Sequence, residues 1–330
     1  MKLFNLSLWF NGFPIKKAKL AIDNIQKMNI KVFEKYQSQK KEEIVANKEP
    51  VQKKEQSIIQ VTKSGDIDPL ETQDWLESLS AIILKDGNQR AHFLIKELIN
   101  KALSIIFKKS IDVVGAGRTD AGVHATNQIV HFDTLAKRKD TAWLRGANAK
   151  LPDGVAIRWA QNVSCDFHSR FSAKHRTYRY VIYNSRTHSA LLKNFVTWDR
   201  RSLDIDAMAE ASQALVGRHD FNAFRASQCQ ANNAIRDMHY IKVHRQNDFI
   251  VIEVQATAFL YHMVRNIVGV LSTIAAGEKP VSWAKEVLES KDRRCGGITA
   301  SPDGLYLVAV EYDEGHRLPQ RPKGPYFLAT

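Results

Sequence analysis

VVGAGRTDAGVHATNQIVHF, from Val113 to Phe132, is the stretch whose reading decides the fold. An apolar pair runs into Gly115 and Gly117, and polar residues follow before alternating apolar residues resume near Gln128. A strand followed by glycines suggests a dinucleotide-binding turn, but the third glycine of that fingerprint would fall at Asp120. A carboxylate there would crowd the helix–strand contact and repel a pyrophosphate. A phosphate-binding loop fails as well, because no Gly-Lys-Ser/Thr follows. What remains is a cation (Arg118), a hydroxyl (Thr119) and an anion (Asp120) displayed where the glycines let the chain turn sharply. A carboxylate on such a loop between two apolar strands suits a nucleophile or base held by its scaffold. An isolated loop Asp more often caps a turn, so the whole string carries the functional reading.

Outward from this stretch, strand and helix signals alternate. Strands are predicted at Gln128–Phe132, Val155–Val163, Thr177–Asn184, Ile235–Val243, Asp248–Thr257 and Leu305–Tyr312. Helices are predicted at Trp143–Lys150, Asp206–Leu215 and Phe259–Ala275. Strands that return in mixed order favour an α+β fold over a doubly wound parallel sheet. The tail RLPQRPKGPYFLAT (317–330) is Pro-rich and expected to be loose.

The chain has 330 residues, 48 Lys+Arg and 35 Asp+Glu, a formal charge of +13 that makes polyanions plausible partners. The charge is uneven. Residues 1–63 carry +7 and read as a short basic helix followed by a solvated linker. Residues 64–102 carry −3 and read as a helical hairpin opened by Asp68-Pro69, with Trp75, Leu76, Leu79, Ile82 and Ile83 as its apolar stripe. Residues 103–330 carry +9. No run of eighteen apolar residues predicts a membrane span. The opening MKLFNLSLWF imitates a signal peptide, but Asn11-Gly12 and lysines follow with no small-residue cleavage site. Cys165, Cys229 and Cys295 form neither a disulfide framework nor a CxxC metal pair, and they suit a reducing cytosol.

Two resemblances follow from quoted residues. DIDPLETQDWLESLSAIILKDGNQRAHFLIKELINKA (66–102) resembles the N-terminus of the bacterial pyruvate dehydrogenase E1 component, whose role in docking an E2 partner it implies for the hairpin. Nothing downstream resembles that enzyme's thiamine-diphosphate site. GAGRTDAGVHA (115–125), FHSRFSAKHRTYRYVIYN (167–184), FNAFRASQCQA (221–231), FLYHMVRNIVG (259–269) and DRRCGGITASPDGLYLVAVEY (292–312) resemble, in order, the blocks of the TruA family of tRNA pseudouridine synthases. That resemblance covers about residues 103–315. It implies a pseudouridine synthase fold, a mixed and antiparallel sheet with two ferredoxin-like halves flanking a catalytic cleft, and a domain over 103–316.

The same resemblance implies that Asp120 is the catalytic residue, paired with Arg265, and that Tyr178 is the active-site tyrosine. Tyr178 would stack on the extruded uracil and relay the proton leaving C5. Arg118 would fill the space the base vacates or brace the backbone, Thr119 stands beside it in the substrate-binding set, and Leu305 would close the far side of the base. Arg265 is expected to hold Asp120 ionised by lowering its pKa. His124 and His131 read as strand or turn residues. The implied substrate is tRNA at positions 38–40 of the anticodon arm, bound by a homodimer in the cytoplasm, with no metal or other cofactor required.

The chain departs from the family at its front. No Tyr-Asp-Gly turn or Gly-Trp-Gln motif precedes Gly115. Residues 90–106 are expected to supply the missing helix, and Leu3–Phe10, across a long insertion, the missing strand. If no strand is supplied, the alternative is a catalytically impaired fusion that only binds RNA or protein.

Overall fold

The computed structural model describes residues 2–8, 96, 99–100, 112–117, 119–136, 139–152 and 154–328. The basic segment from 9 to 63, most of the hairpin and Arg118 lie outside the described residues.

Among the described residues ten strands form one sheet. They are β1 (Lys2–Leu8), β2 (Val114–Gly115), β3 (His124–Phe132), β4 (Val155–Asn162), β5 (His175–Asn184), β6 (Thr197–Asp199), β7 (Gly217–Asp220), β8 (Ile235–Gln246), β9 (Phe249–Ala256) and β10 (Leu305–Glu311). Their order is β4-β1-β3-β10-β5-β9-β8-β7, with β2 against β3 and β6 against β5. Most pairings are antiparallel, but β10 runs parallel to β3 and antiparallel to β5. The sheet is therefore mixed, and β10 joins the N-terminal strands to the C-terminal ones.

The expected first strand is present. β1 pairs antiparallel with β3 from Lys2 opposite Phe132 to Leu8 opposite Ala125, and with β4 on its other side. A strand in that slot satisfies backbone groups on two neighbours that would otherwise be left bare. Of the helix expected over 90–106, Lys96, Ile99 and Asn100 are described; all three are helical and Ile99 is buried. The Asn100 side chain accepts the Val113 N–H at 2.9 Å, which ties that helix to the strand leading into the glycine loop.

Four further α-helices are described: α1 (Asp140–Asn148), α2 (Ile205–Gln213), α3 (Met263–Ala275) and α4 (Trp283–Ser290). Asp204 caps α2 by accepting from the N–H groups of Asp206 and Ala207. Helix α3 is apolar on most of its circumference, with Met263, Val264, Ile267, Leu271 and Ile274 buried, so it lies in the core rather than on it. It begins four residues later than the sequence pattern predicts. His262 takes a left-handed backbone (φ 60°) that breaks helical geometry just before Met263. The β8–β9 hairpin turns through Asn247 at φ 53°, a residue type that tolerates this conformation.

The tail is not loose. Arg179 donates to the carbonyls of Lys323 (3.0 Å) and Gly324 (3.1 Å), and Lys323 pairs with Glu253 at 3.2 Å. Leu328 is buried with Val181, Val251, Tyr306 and Val308. β5, β9 and β10 alternate apolar residues to both faces, so the face turned away from the helices needs a cover. The C-terminal residues supply part of it. Pro-richness signals an absent helix here, not an absent contact.

Candidate active site

Asp120 lies in the loop between β2 and β3, and that loop is held by groups distant in sequence. Gln128 clamps Gly117 from both sides: its amide accepts the Gly117 N–H at 3.3 Å and donates to the Gly117 carbonyl at 2.8 Å. Arg176 donates to the Ala116 carbonyl at 3.3 Å. Beyond the carboxylate, Gly122 sits at φ +79°, where a Cβ would come within 2.9 Å of Pro302. Only glycine fits both the backbone and the space. The loop thus presents Asp120 on a fixed backbone.

Two groups from the start of α3 converge on it. Arg265 Nη1 stands 3.9 Å and His262 Nε2 3.4 Å from Asp120 Oδ2. Arg265 is itself clamped to the segment before β10: its Nε donates to the Ala300 carbonyl at 2.7 Å, and its own carbonyl accepts from the Ala300 N–H at 3.1 Å. Tyr180, on β5, anchors the same segment by donating to the Ser301 carbonyl at 2.7 Å. The guanidinium is therefore positioned from two directions.

The electrostatics correct one expectation. Arg265 does pull the Asp120 pKa down, but burial outweighs it, and the carboxyl is raised to about 6. The two charged groups do not form a close bidentate pair, so the guanidinium offsets only part of the lost hydration. Burial also lowers His262 to about 4, helped by Arg265 and Arg293, so its ring is neutral at pH 7. Tyr178 is raised to about 12 by burial and by the neighbouring Asp120, and keeps its phenolic proton. At neutral pH the cluster holds one carboxylate, one guanidinium and two neutral rings. A carboxylate pKa near 6 beside a cation is the poise expected of a base or nucleophile.

The other expected residues are placed as follows. Tyr178 is buried on β5, edge-on to Phe259 with ring centres 5.1 Å apart. Thr119 is buried, and its hydroxyl has no hydrogen-bond partner among the described residues. Leu305 is buried on β10 opposite Tyr180, whereas Leu307 is the residue opposite Tyr178. A Cβ placed on Gly117 would lie 3.8 Å from the Tyr178 hydroxyl and 3.9 Å from Leu307 Cδ2, so the loop packs close to both. Arg118 lies outside the described residues. His124 bonds the Asn194 carbonyl at 2.8 Å and stacks on Tyr306, and His131 bonds Ser169 at 2.9 Å; both are built into the core.

Sequence reasoning did not single out His262 or Leu307. His262 precedes Arg265 by three residues, but its left-handed backbone takes it off the helical repeat, so spacing alone does not bring it to the carboxylate. Leu307 differs from Leu305 only by one step of the pleat on the same face, which strand register alone resolves.

The chain matches known proteins over two stretches. Residues 211–313 match the tRNA pseudouridine synthase family, and residues 68–104 match the N-terminal domain of the pyruvate dehydrogenase E1 component. The tRNA pseudouridine synthase A of Pseudomonas aeruginosa is 52% identical over 235 residues, 71% of this chain and 82% of that protein. The protein of the same name from Pseudoalteromonas atlantica is 54% identical over 235 residues, with 71% and 89% covered. That of Coxiella burnetii is 48% identical over 240 residues, with 73% and 92% covered. These relatives are isomerases by name. Identity near one half, sustained over more than four-fifths of each relative, is more than a shared loop can produce, and the chain belongs to the TruA family of tRNA pseudouridine synthases.

Proposed function

We propose that this chain isomerises uridine to pseudouridine at positions 38–40 of the tRNA anticodon arm, with Asp120 as nucleophile. It would act as a homodimer in the cytoplasm, with the strands on either side of β10 as two ferredoxin-like halves flanking the cleft. The observation that carries the reading is the partly buried Asp120 carboxylate facing Arg265 and neighbouring Tyr178. Among the described residues no helix is long and apolar enough to cross a membrane. The impaired-fusion reading is not favoured, because β1 fills the position whose absence motivated it.

The reaction breaks the C1′–N1 bond, turns the freed uracil and joins C5 to C1′; C5 loses its proton and N1 ends up protonated, so the formula is unchanged. Ionised Asp120 attacks at C1′ or C6, or draws off the sugar proton; each route needs the carboxylate charged. Arg265 stabilises that charge in a site burial has made unfavourable for it. The target base must leave its stack, at a cost of a few kcal/mol. Tyr178, Leu307 opposite it and Leu305 one step along the same strand face are the walls that receive it, Tyr178 also relaying the C5 proton. Thr119, with its buried hydroxyl, and Arg118 are the adjacent groups that meet the RNA backbone and the vacated position.

Two outcomes test this. Incubating unmodified tRNA with the protein and mapping the product should find pseudouridine at 38, 39 or 40; modification confined to another arm would overturn the site assignment. The pH dependence of kcat/KM should rise with unit slope up to about pH 6 and then level, because the free enzyme must lose the Asp120 proton. An ordinary carboxylate would put the break near pH 4.

A further inference from the structure

Phe171 is 76% exposed, the most solvent-facing of the large aromatic rings among the described residues. It is not on a slack loop. His168 Nδ1 accepts the N–H groups of both Arg170 and Phe171 at 3.1 Å. Ser172 closes the turn: its hydroxyl accepts the His168 N–H at 2.9 Å, and its own N–H donates to the His168 carbonyl at 2.8 Å. The His168 ring lies against the Phe171 ring with centres 4.3 Å apart, and the Arg170 guanidinium stands 5.6 Å from the same ring. One nitrogen of Arg176 then bonds two carbonyls at once, Arg170 at 2.7 Å and Ala116 at 3.3 Å. The turn is thereby fixed to the loop that carries Asp120.

A braced, solvent-facing aromatic with a cation beside it, tied to the rim of a catalytic loop, has the composition of a single-strand binding platform. Bases stack on such rings whatever their sequence, and the cation meets the phosphates. A folded peptide partner would be expected to meet a wider apolar patch than one ring beside an exposed arginine.

We propose that Phe171, supported by His168 and flanked by Arg170, stacks an unpaired base of the RNA adjacent to the target uridine. This rests on the tRNA reading above and deepens it by assigning a nucleotide contact outside the base pocket. Extrusion of the target leaves its neighbour short of a stacking partner, and the platform replaces that partner.

The test measures binding of the full-length protein to a stem-loop RNA carrying a fluorescent purine analogue next to the target uridine, beside a fully paired duplex of similar length. Phe171→Ala should weaken stem-loop binding by about 5- to 150-fold, the range set by one base–aromatic stack, and barely alter duplex binding. Phe171→Trp should keep the affinity and quench the analogue. Because the ring is exposed, both variants should melt as the parent does. Equal stem-loop affinity for Phe171→Ala, or an equal loss on the duplex, would overturn the proposal. The two readings fail separately. Turnover on tRNA with no effect at Phe171 removes the platform alone. A Phe171-dependent stem-loop affinity without pseudouridine formation removes the catalytic reading alone. No stem-loop binding removes both.

Discussion

Asp120→Asn should take pseudouridine formation below detection and at the same time make the protein more stable. The second half follows from the sign of the pKa change. Asp120 is raised from the usual 3.8 to about 6 in the folded state, so between those values the folded chain holds a proton the unfolded chain has lost. Stability contributed by this group is fully present below about pH 4 and is lost as pH rises through 6. At neutral pH the ionised carboxylate costs roughly 3 kcal/mol relative to a neutral group of the same shape. Asparagine removes that cost. In thermal melts the variant should exceed the parent by about 5 °C near pH 7, and the gap should nearly close by about pH 4. A variant less stable than the parent at both pH values would mean that the Arg265 pairing, not burial, dominates the site.

Gly269→Ala should be among the most damaging single-methyl changes in the chain. Gly269 lies in the middle of α3, where alanine is ordinarily the better helix former by about 1 kcal/mol. Here the added Cβ would overlap the Ile298 carbonyl oxygen, a backbone atom that cannot rotate away. The helix and the 296–300 segment must part by more than an ångström, at a cost of about 3 kcal/mol or more that overrides the propensity gain. The displaced segment includes Ala300, which holds the Arg265 side chain. Melting should fall by about 5 °C or more. Turnover should fall on the order of 100-fold, because misplacing a positioning group by an ångström has effects of that size. Normal stability in Gly269→Ala would show that the two backbones are not packed as described.

Much of this was legible in the chain itself. The dense β signal at Thr177–Asn184, the apolar helix ending near Ala275 and the glycine-flanked Asp120 needed only local pattern, because propensity and burial agree there. The pairing of Asp120 with Arg265 came from resemblance, since nothing local to either residue points to the other. No local signal fixes the strand at Lys2–Leu8; what pointed to it was the family's need for a first strand. It is short, and its partners are more than a hundred residues away in sequence. Three features were illegible for physical reasons. The Asp120 pKa depends on how much water the surrounding elements exclude, which a sequence does not state. His262 reaches the carboxylate only because its backbone turns left-handed where the pattern continues a helix. The tail packs against β5 and β9 through Lys323 and Leu328, and its proline-rich composition hid a contact with the sheet.

The central claim is that Asp120, ionised in a partly buried site beside Arg265, drives base isomerisation in tRNA. The most direct measurement is tritium release from tRNA labelled at C5 of uridine. The intact chain should release tritium catalytically, and Asp120→Ala should release none while still binding the same tRNA. Absence of release from the intact chain at high enzyme concentration, or undiminished release from Asp120→Ala, would contradict it.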